Sequence, residues 1–285
     1  MTNRQILSKA EETLREAGIE EYKSDAWLLF EYVFGMSRTS YLMKAECEVD
    51  DGASKYMDVI NERATRKPLQ YITGAQEFFG LEFVVNENVL IPRQDTEILI
   101  EKAVDLIKDA DYKVLDMCTG SGCIAITIGK NCKNTIVTGV DISEGAIKVS
   151  QENKIKLSAD NVNFIQSNLF ENIDDKYNVI VSNPPYIESE VIDTLMPEVR
   201  EFEPMLALDG EADGLRFYRE ITRESLKYIL PNGYLIYEIG YNQGESVSEI
   251  MKENGYTSVK VIKDLAGLDR VVVGHFPAEM EDKNV

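Results

Sequence analysis

The sequence predicts an α/β protein, a doubly wound sheet with helices on both faces, preceded by a small N-terminal helical bundle. Three observations lead there. Up to about residue 70 the apolar residues recur only at helical spacing. From residue 113 onward, short β-branched runs alternate with helical runs, the order that builds a mostly parallel sheet. Between the two lies "EFFGLEFVVNENVLIP" (77–92), where aromatic and β-branched residues flank Gly80 and "NEN", which reads as a β-hairpin joining two domains. The expected division is therefore 1–74 for the bundle, 75–93 for the hairpin linker and 94–285 for the α/β domain.

The elements follow in order. Residues 3–17 form an amphipathic helix, with Ile6, Leu7, Ala10, Leu14 and Ala17 on one face. "SDAWLLFEYVFG" is a second helix, with Ser24 as N-cap and Gly35 as stop. Residues 51–67 make a third, ended by Pro68. A helix runs from Asp95 through "TEILIEKAVDLIK". Then come the strand "KVLDM", the helix "GCIAITIGKN", the strand "TIVTGVD", the helix "EGAIKVSQENKIKL" and the strands "VNFIQSN" and "YNVIVSN". "ESLKYIL" reads as helix, "GYLIYEIG" as strand and "GESVSEIMKENG" as helix. Two strands, "TSVKVIK" and "RVVVGHF", follow, and the tail "PAEMEDKNV" reads as frayed.

Composition narrows the function. The start, "MTNRQILSKA", has no apolar signal region, and the early apolar run "AWLLFEYVF" is short and carries Glu31. A soluble, cytoplasmic chain is expected. The four cysteines, Cys47, Cys118, Cys123 and Cys132, form no Cys-x-x-Cys pair, and His275 is the single histidine. Zinc sites and histidine triads are therefore disfavoured, and reduced thiols are expected. Net charge is −20. Residues 1–75 carry 10 basic and 13 acidic side chains, against 20 and 37 in the remainder. Such a field repels phosphate backbones. The cluster Arg63, Arg66 and Lys67 is the best basic patch, and it reads more simply as a solvated helix end.

"VLDMCTGSGCIA" (114–125) follows the first strand of the α/β region and opens a helix. Its glycines let backbone turn tightly and approach a ligand. Asp141, 19 residues after Gly122, ends the next strand, where a carboxylate accepts from ribose hydroxyls. "GSGCIA" also satisfies the dinucleotide pattern that suits NAD. Asp116, directly before the turn, would repel a pyrophosphate and attract an ammonium. S-adenosylmethionine carries an ammonium and a sulfonium and no phosphate, so it is favoured over NAD.

"NPPY", Asn183 to Tyr186, ends the fourth strand, "YNVIVSN". Open α/β sheets bind ligands at the carboxyl ends of their strands, so this turn and the glycine loop are expected to share a crevice. Pro184 and Pro185 remove two N–H donors and stiffen the backbone. A row of carbonyl acceptors and the Asn183 amide oxygen remain, suited to a planar –NH2 group, with Tyr186 as a flat cover.

Together "DMCTGSG", Asp141 and "NPPY" resemble the class I S-adenosylmethionine-dependent methyltransferases that modify an exocyclic or amide nitrogen. The segments "RKPLQYITGAQEFFGLEF" (66–83), "LIPRQDTEILIE" (90–101), "SNPPYI" and "FEPMLALDGEADGLRFYREI" (202–221) narrow this. They resemble the peptide chain release factor glutamine methyltransferases, the PrmC/HemK family, over nearly the whole chain. The resemblance implies a Rossmann-like methyltransferase fold and transfer of a methyl group to N5 of the glutamine in the Gly-Gly-Gln motif of class 1 release factors, tuning translation termination. It implies cofactor contacts from Cys118, Thr119, Gly120, Ser121 and Gly122, from Asp141, and from "QSNLF" near the adenine. It implies that Asn183 and the Pro184 carbonyl hold the substrate amide, and that the N-terminal bundle docks the release factor. Neither DNA nor a membrane is expected as partner, and the chain is expected to be monomeric.

Two departures stand out. Cys118 replaces the usual first glycine of the loop, so a Cβ crowds the space for the cofactor's methionine moiety. Asn168 and Leu169 stand where the family often has Asp-Trp, leaving an amide oxygen to accept from adenine and an apolar contact in place of a ring. Arg93 is read as either pocket lining or surface, Glu238 as crevice-facing or merely solvated, and His275 has no inferred role. An adenine methyltransferase, which would need a basic target-recognition region, and a binding protein with a defunct site are the competing readings.

Overall fold

The computed structural model describes residues 1–49, 51–107 and 111–278. Most of the tail expected to fray, residues 279–285, and Lys108 at the end of the helix expected after Asp95 lie outside the described residues. The chain divides into two compact units, Met1–Ala75 with Met196–Phe202, and Gln76–Leu195 with Glu203–Val285.

The first unit is helical: α1 (Asn3–Glu16), α2 (Tyr22–Phe34), α3 (Arg38–Lys44), α4 (Ala53–Ala64) and α5 (Leu69–Thr73). Thr2 caps α1 in a reciprocal capping box with Gln5. Ile6, Leu14, Leu29, Phe30, Tyr56 and Ile60 form its buried core. Each such side chain stabilises the unit by about 1.5–3 kcal/mol relative to exposure. Gly35 ends α2 in the left-handed conformation, as expected. Ser24 does not cap α2; the helix starts at Tyr22, whose ring packs on the core. The third expected helix stops at Ala64, before Pro68, because Thr65 caps it and Arg66 turns to φ +76°. The helices α3 and α5, seven and five residues long, are too short to display a period and had no sequence signal.

Arg63, Arg66 and Lys67 are not a solvated helix end. Arg63 is buried and its Nε donates to Asp25 at 2.7 Å, while its Nη2 reaches Glu198 at 3.0 Å. Arg66 donates to the other Glu198 oxygen at 2.7 Å and to the Gly18 carbonyl at 2.6 Å. Lys67 pairs with Glu62. The acids that neutralise this cluster are Asp25, close to the chain start, and Glu198, more than 130 residues downstream, so helix-end reasoning missed them.

The second unit runs β1 (Ala75–Phe78), β2 (Leu81–Val84), α6 (Glu97–Ile107), β3 (Lys113–Met117), α7 (Cys123–Asn131), β4 (Ile136–Asp141), α8 (Glu144–Lys156), β5 (Val162–Gln166), β6 (Tyr177–Ser182), α9 (Ser189–Ile192), α10 (Pro197–Arg200), α11 (Arg216–Ser225), β7 (Ile229–Glu238), α12 (Gly244–Glu253), β8 (Thr257–Lys263) and β9 (Asp269–His275). Of these, α10 groups with the first unit. The hairpin is shorter than expected. Phe79 (φ +51°) and Gly80 (φ +71°) make its tight turn, and "NENVLIP" lies outside the strands.

Seven strands form one sheet in the order β5-β4-β3-β6-β7-β9-β8, parallel except for the contacts of β9 with β7 and β8. Alternate residues face two apolar layers. Val114, Val179, Val181 and Ile236 pack with Leu99, Ile100 and Ile124 on one face. Leu115, Ile180, Leu235 and Tyr237 pack with Tyr218, Ile221 and Met251 on the other. "ESLKYIL" is not wholly helical: α11 ends at Ser225, and Ile229 and Leu230 already belong to β7, where Tyr177 donates to the Tyr228 carbonyl at 2.7 Å.

Candidate active site

β3, β4 and β6 are adjacent and parallel, so their carboxyl ends deliver the glycine loop, Asp141 and Asn183 to one edge of the sheet. A cavity of about 230 Å³ opens there. Its wall includes Cys118, Thr119, Gly120, Ser121 and Asp141. Asn168, Leu169, Asn183 and Pro185 complete the part of the wall foreseen from sequence. Asp116, Gly122, Pro184 and Tyr186 are not among the lining residues.

The loop is built by its own hydrogen bonds. Thr119 N–H donates to the Val140 carbonyl and Gly122 N–H to the Thr119 carbonyl. Beneath the loop, Asp116 Oδ2 accepts from the Thr119 hydroxyl at 2.5 Å and from Ala125 N–H at 3.2 Å. Its Oδ1 is buried with no protein partner. Burial raises this carboxyl to about 7, against the opposing pull of those two hydrogen bonds. Asp116 thus braces the turn from behind. Asp141 accepts Gly120 N–H at 2.9 Å and Ser143 N–H at 2.9 Å, so its carboxylate is fixed at the rim. Its pKa is raised by burial, opposed by these backbone amides.

The two glycines of the turn differ. A Cβ on Gly120 (φ +53°) meets no heavy atom within 4 Å, whereas one on Gly122 (φ +80°) lies 2.7 Å from Phe164 Cζ. Gly120 borders open space, and Gly122 lets α7 pack against β5. Cys118 holds φ +62°, a left-handed value that favours glycine, and its side chain borders the cavity. Burial pushes its thiol well up, so it stays protonated and is a poor nucleophile.

At the other end, Asn183 Nδ2 lies 3.5 Å from Thr96 Oγ1. Glu238, which ends β7, is 2 % exposed, and its Oε2 has no protein partner. Burial raises it to about 7, opposed by the Thr96 side chain, the Arg270 charge and the Asn183 side chain. Arg93 borders the cavity and pairs with Glu203, whose side chain is 1 % exposed. The Tyr186 carbonyl is held by Gln243 Nε2 at 3.0 Å, and the Tyr186 ring packs on the sheet's second apolar layer. Asn168 Nδ2 donates to Glu171, which leaves its Oδ1 as the available acceptor. Thr96 was missed from sequence; its one signal was its place inside "LIPRQDTEILIE". Among the described residues, no cluster of His, Cys, Asp and Glu suits a metal ion, and no helix is long and apolar enough to cross a membrane.

The sequence and fold have known counterparts. Residues 5–74 match the PrmC N-terminal domain and residues 94–211 the methyltransferase small domain. The sequence is 43 % identical over 277 residues to a release factor glutamine methyltransferase of Fusobacterium nucleatum, covering 95 % of this chain and 78 % of that one. It is 41 % identical over 279 residues to the protein of that name in Clostridium acetobutylicum, covering 96 % and 98 %. In fold it is similar to a Pyrococcus furiosus methyltransferase (TM-score 0.53, 17 % identity, 79 % of this chain and 99 % of that one). Near-full-length identity at this level, with both domain types in order, means that the chain belongs to the release factor glutamine methyltransferase family.

Proposed function

We propose that this protein transfers a methyl group from S-adenosylmethionine to N5 of the glutamine in the Gly-Gly-Gln motif of class 1 peptide chain release factors. The observation that carries the reading is the meeting of Asn183 with the glycine loop and Asp141 around one cavity. Asn183 turns its Nδ2 to Thr96, which leaves Oδ1 as an acceptor for a substrate –NH2.

The cofactor fits the residues present. Gly120 leaves room that a Cβ would fill. Asp141 lines the cavity and offers a carboxylate to ribose hydroxyls. Leu169, Asn168 and Ile142 are assigned to the adenine, and Cys118 to Ser121 to the methionine portion, with Asp116 and Gly122 holding that loop in shape. When bound, S-adenosylmethionine supplies a methyl group activated by a sulfonium.

The chain's own part is binding and electrostatics. An amide nitrogen is a weak nucleophile because its lone pair is delocalised into the carbonyl. As it gains a methyl it becomes positive, so acceptors on its hydrogens stabilise that state more than the ground state. Asn183 Oδ1 and the Pro184 carbonyl are assigned as those acceptors. Pro185 keeps the turn rigid, and the Tyr186 ring, packed in the second apolar layer, supports that turn from behind. Holding the nitrogen in line supplies the proximity term. The proton leaves after transfer, so the mechanism needs no histidine base. The N-terminal helical unit is assigned to holding the release factor.

The test is direct. Incubation with isotope-labelled cofactor and a class 1 release factor should place one methyl on the Gly-Gly-Gln glutamine by mass mapping. A glutamine-replaced substrate should stay unlabelled. Absence of label, or label elsewhere, overturns the reading.

A further inference from the structure

Asn183 can serve as an acceptor only if its amide is held one way round, because its two ends are nearly isosteric and opposite in hydrogen-bonding sense. The substrate –NH2 favours the acceptor end only once it is bound, so the empty site needs its own means of holding the amide. The protein side of the amide is Thr96, 2 % exposed, and Glu238, next to Tyr237 on the neighbouring strand that pairs with Ser182, neighbours both side chains and has an unpartnered Oε2. We infer that Thr96 and Glu238 form a positioning pair that sets which face Asn183 presents to the glutamine; the inference rests on the proposed reaction and deepens it.

The logic follows from proton counting. An ionised carboxylate only accepts. Thr96 has one hydroxyl proton, and beside an ionised Glu238 it donates that proton to the carboxylate. The Thr96 lone pairs and the carboxylate itself, with which the Asn183 side chain also hydrogen-bonds, then select its Nδ2, which lies 3.5 Å from Thr96 Oγ1. That contact is long, of the kind that tightens when substrate closes a site. The Asn183 Oδ1 is thereby turned to the substrate –NH2. A protonated Glu238 reverses the chain: it donates to Thr96, Thr96 donates to Asn183 Oδ1, and the amide flips. A donor then faces a donor, and the developing charge on nitrogen loses its acceptor.

The groups facing Glu238 are Arg270 and Asp95, with Thr96 and Asn183 as hydrogen-bonding neighbours. Tyr186, Tyr218 and Cys123 also feel its charge. Arg270 favours the ionised form and Asp95 opposes it, while burial raises the carboxyl to about 7, so the switch lies close to neutrality. Asp116 titrates in the same range, but it acts beneath the glycine loop. Saturating cofactor separates the two effects.

The experiment compares wild type with Glu238→Gln, Thr96→Val and Thr96→Ser. At saturating cofactor, kcat should fall roughly 10- to 100-fold in Glu238→Gln and Thr96→Val, with cofactor Kd within about twofold. Thr96→Ser, which keeps the hydroxyl, should recover most of the loss. In wild type kcat should decline as pH falls through about 7, and Glu238→Gln should lack that limb. A second readout needs no turnover. With ¹⁵N-asparagine labelling, the side-chain –NH2 resonance lost in Asn183→Ala should shift with pH near neutrality in wild type and stay constant in Glu238→Gln. A Glu238→Gln protein with wild-type kcat and an unaltered Asn183 titration overturns the inference, as does a Thr96→Ser protein as slow as Thr96→Val. If wild type transfers no methyl to release factors, the proposed function fails, and the Asn183 titration still decides the inference.

Discussion

Gly120 and Gly122 stand two residues apart in one turn, both at positive φ, yet alanine should damage them differently. Alanine in the left-handed region costs roughly 1–2 kcal/mol at either site. At Gly120 that is the whole cost, since the new Cβ meets nothing within 4 Å. At Gly122 the Cβ lies 2.7 Å from Phe164 Cζ and 3.1 Å from Ser150 Cβ. Phe164 sits on β5 with its ring packed on an apolar layer and Ser150 sits on α8, so the ring or the helix must shift to admit the methyl. Overpacking of this kind adds about 1–3 kcal/mol. Gly122→Ala should therefore lose roughly 2–5 kcal/mol, a large part of a typical 5–15 kcal/mol total. Gly120→Ala should lose no more than about 2 kcal/mol, but its methyl enters the cavity and should weaken cofactor binding at least tenfold. Urea unfolding measures the first quantity and calorimetric titration with S-adenosylmethionine the second. Equal stability of the two variants, or unchanged cofactor affinity in Gly120→Ala, refutes the assignment of one glycine to space and the other to packing.

Asp116 should make the protein less stable as pH rises. Its folded pKa, about 7, lies above the ordinary 3.8, so the folded state holds the proton more tightly; stability is fully present below 3.8 and is lost as pH climbs through about 7. A rise of about three units corresponds to at most about 4 kcal/mol, and Asp116→Asn should flatten the difference between unfolding curves at pH 5 and pH 8; an unchanged difference counts against it. Arg63→Ala strands the buried Asp25, while Glu198 keeps Arg66, and should cost about 3–5 kcal/mol in the helical unit, against under about 1 for Lys67→Ala; a thermal melt showing equal losses would contradict this. Asn183→Ala should lower single-turnover methyl transfer roughly 10²- to 10³-fold with little change in cofactor Kd, and near-normal turnover would remove Asn183 from its assigned role.

Much of the α/β region was legible because its signals are local. "KVLDM" and "TSVKVIK" match β3 and β8 residue for residue, since a short strand-prone run bounded by turn formers needs no distant partner to be recognised. The glycine loop and "NPPY" were legible as strand-end turns for the same reason. Boundaries set by packing were not: α2 begins at Tyr22 because that ring reaches the core, and β7 begins at Ile229 because Tyr177 pairs with Tyr228.

The sequence by itself determined the chain order of the seven sheet strands, the acidic character and the two turns at one end of the sheet, because each depends on residue type and near spacing. Only the tertiary structure decided which neighbours those turns have. Asp116 proves to be a brace beneath the loop, Arg63 a buried ion-pair centre, and Glu238 the buried neighbour of Thr96 and Asn183. The physical reason is that a carboxylate's protonation and a side chain's hydrogen-bonding sense are set by atoms within a few ångströms. Here those atoms come from positions as far apart as 96, 183 and 238.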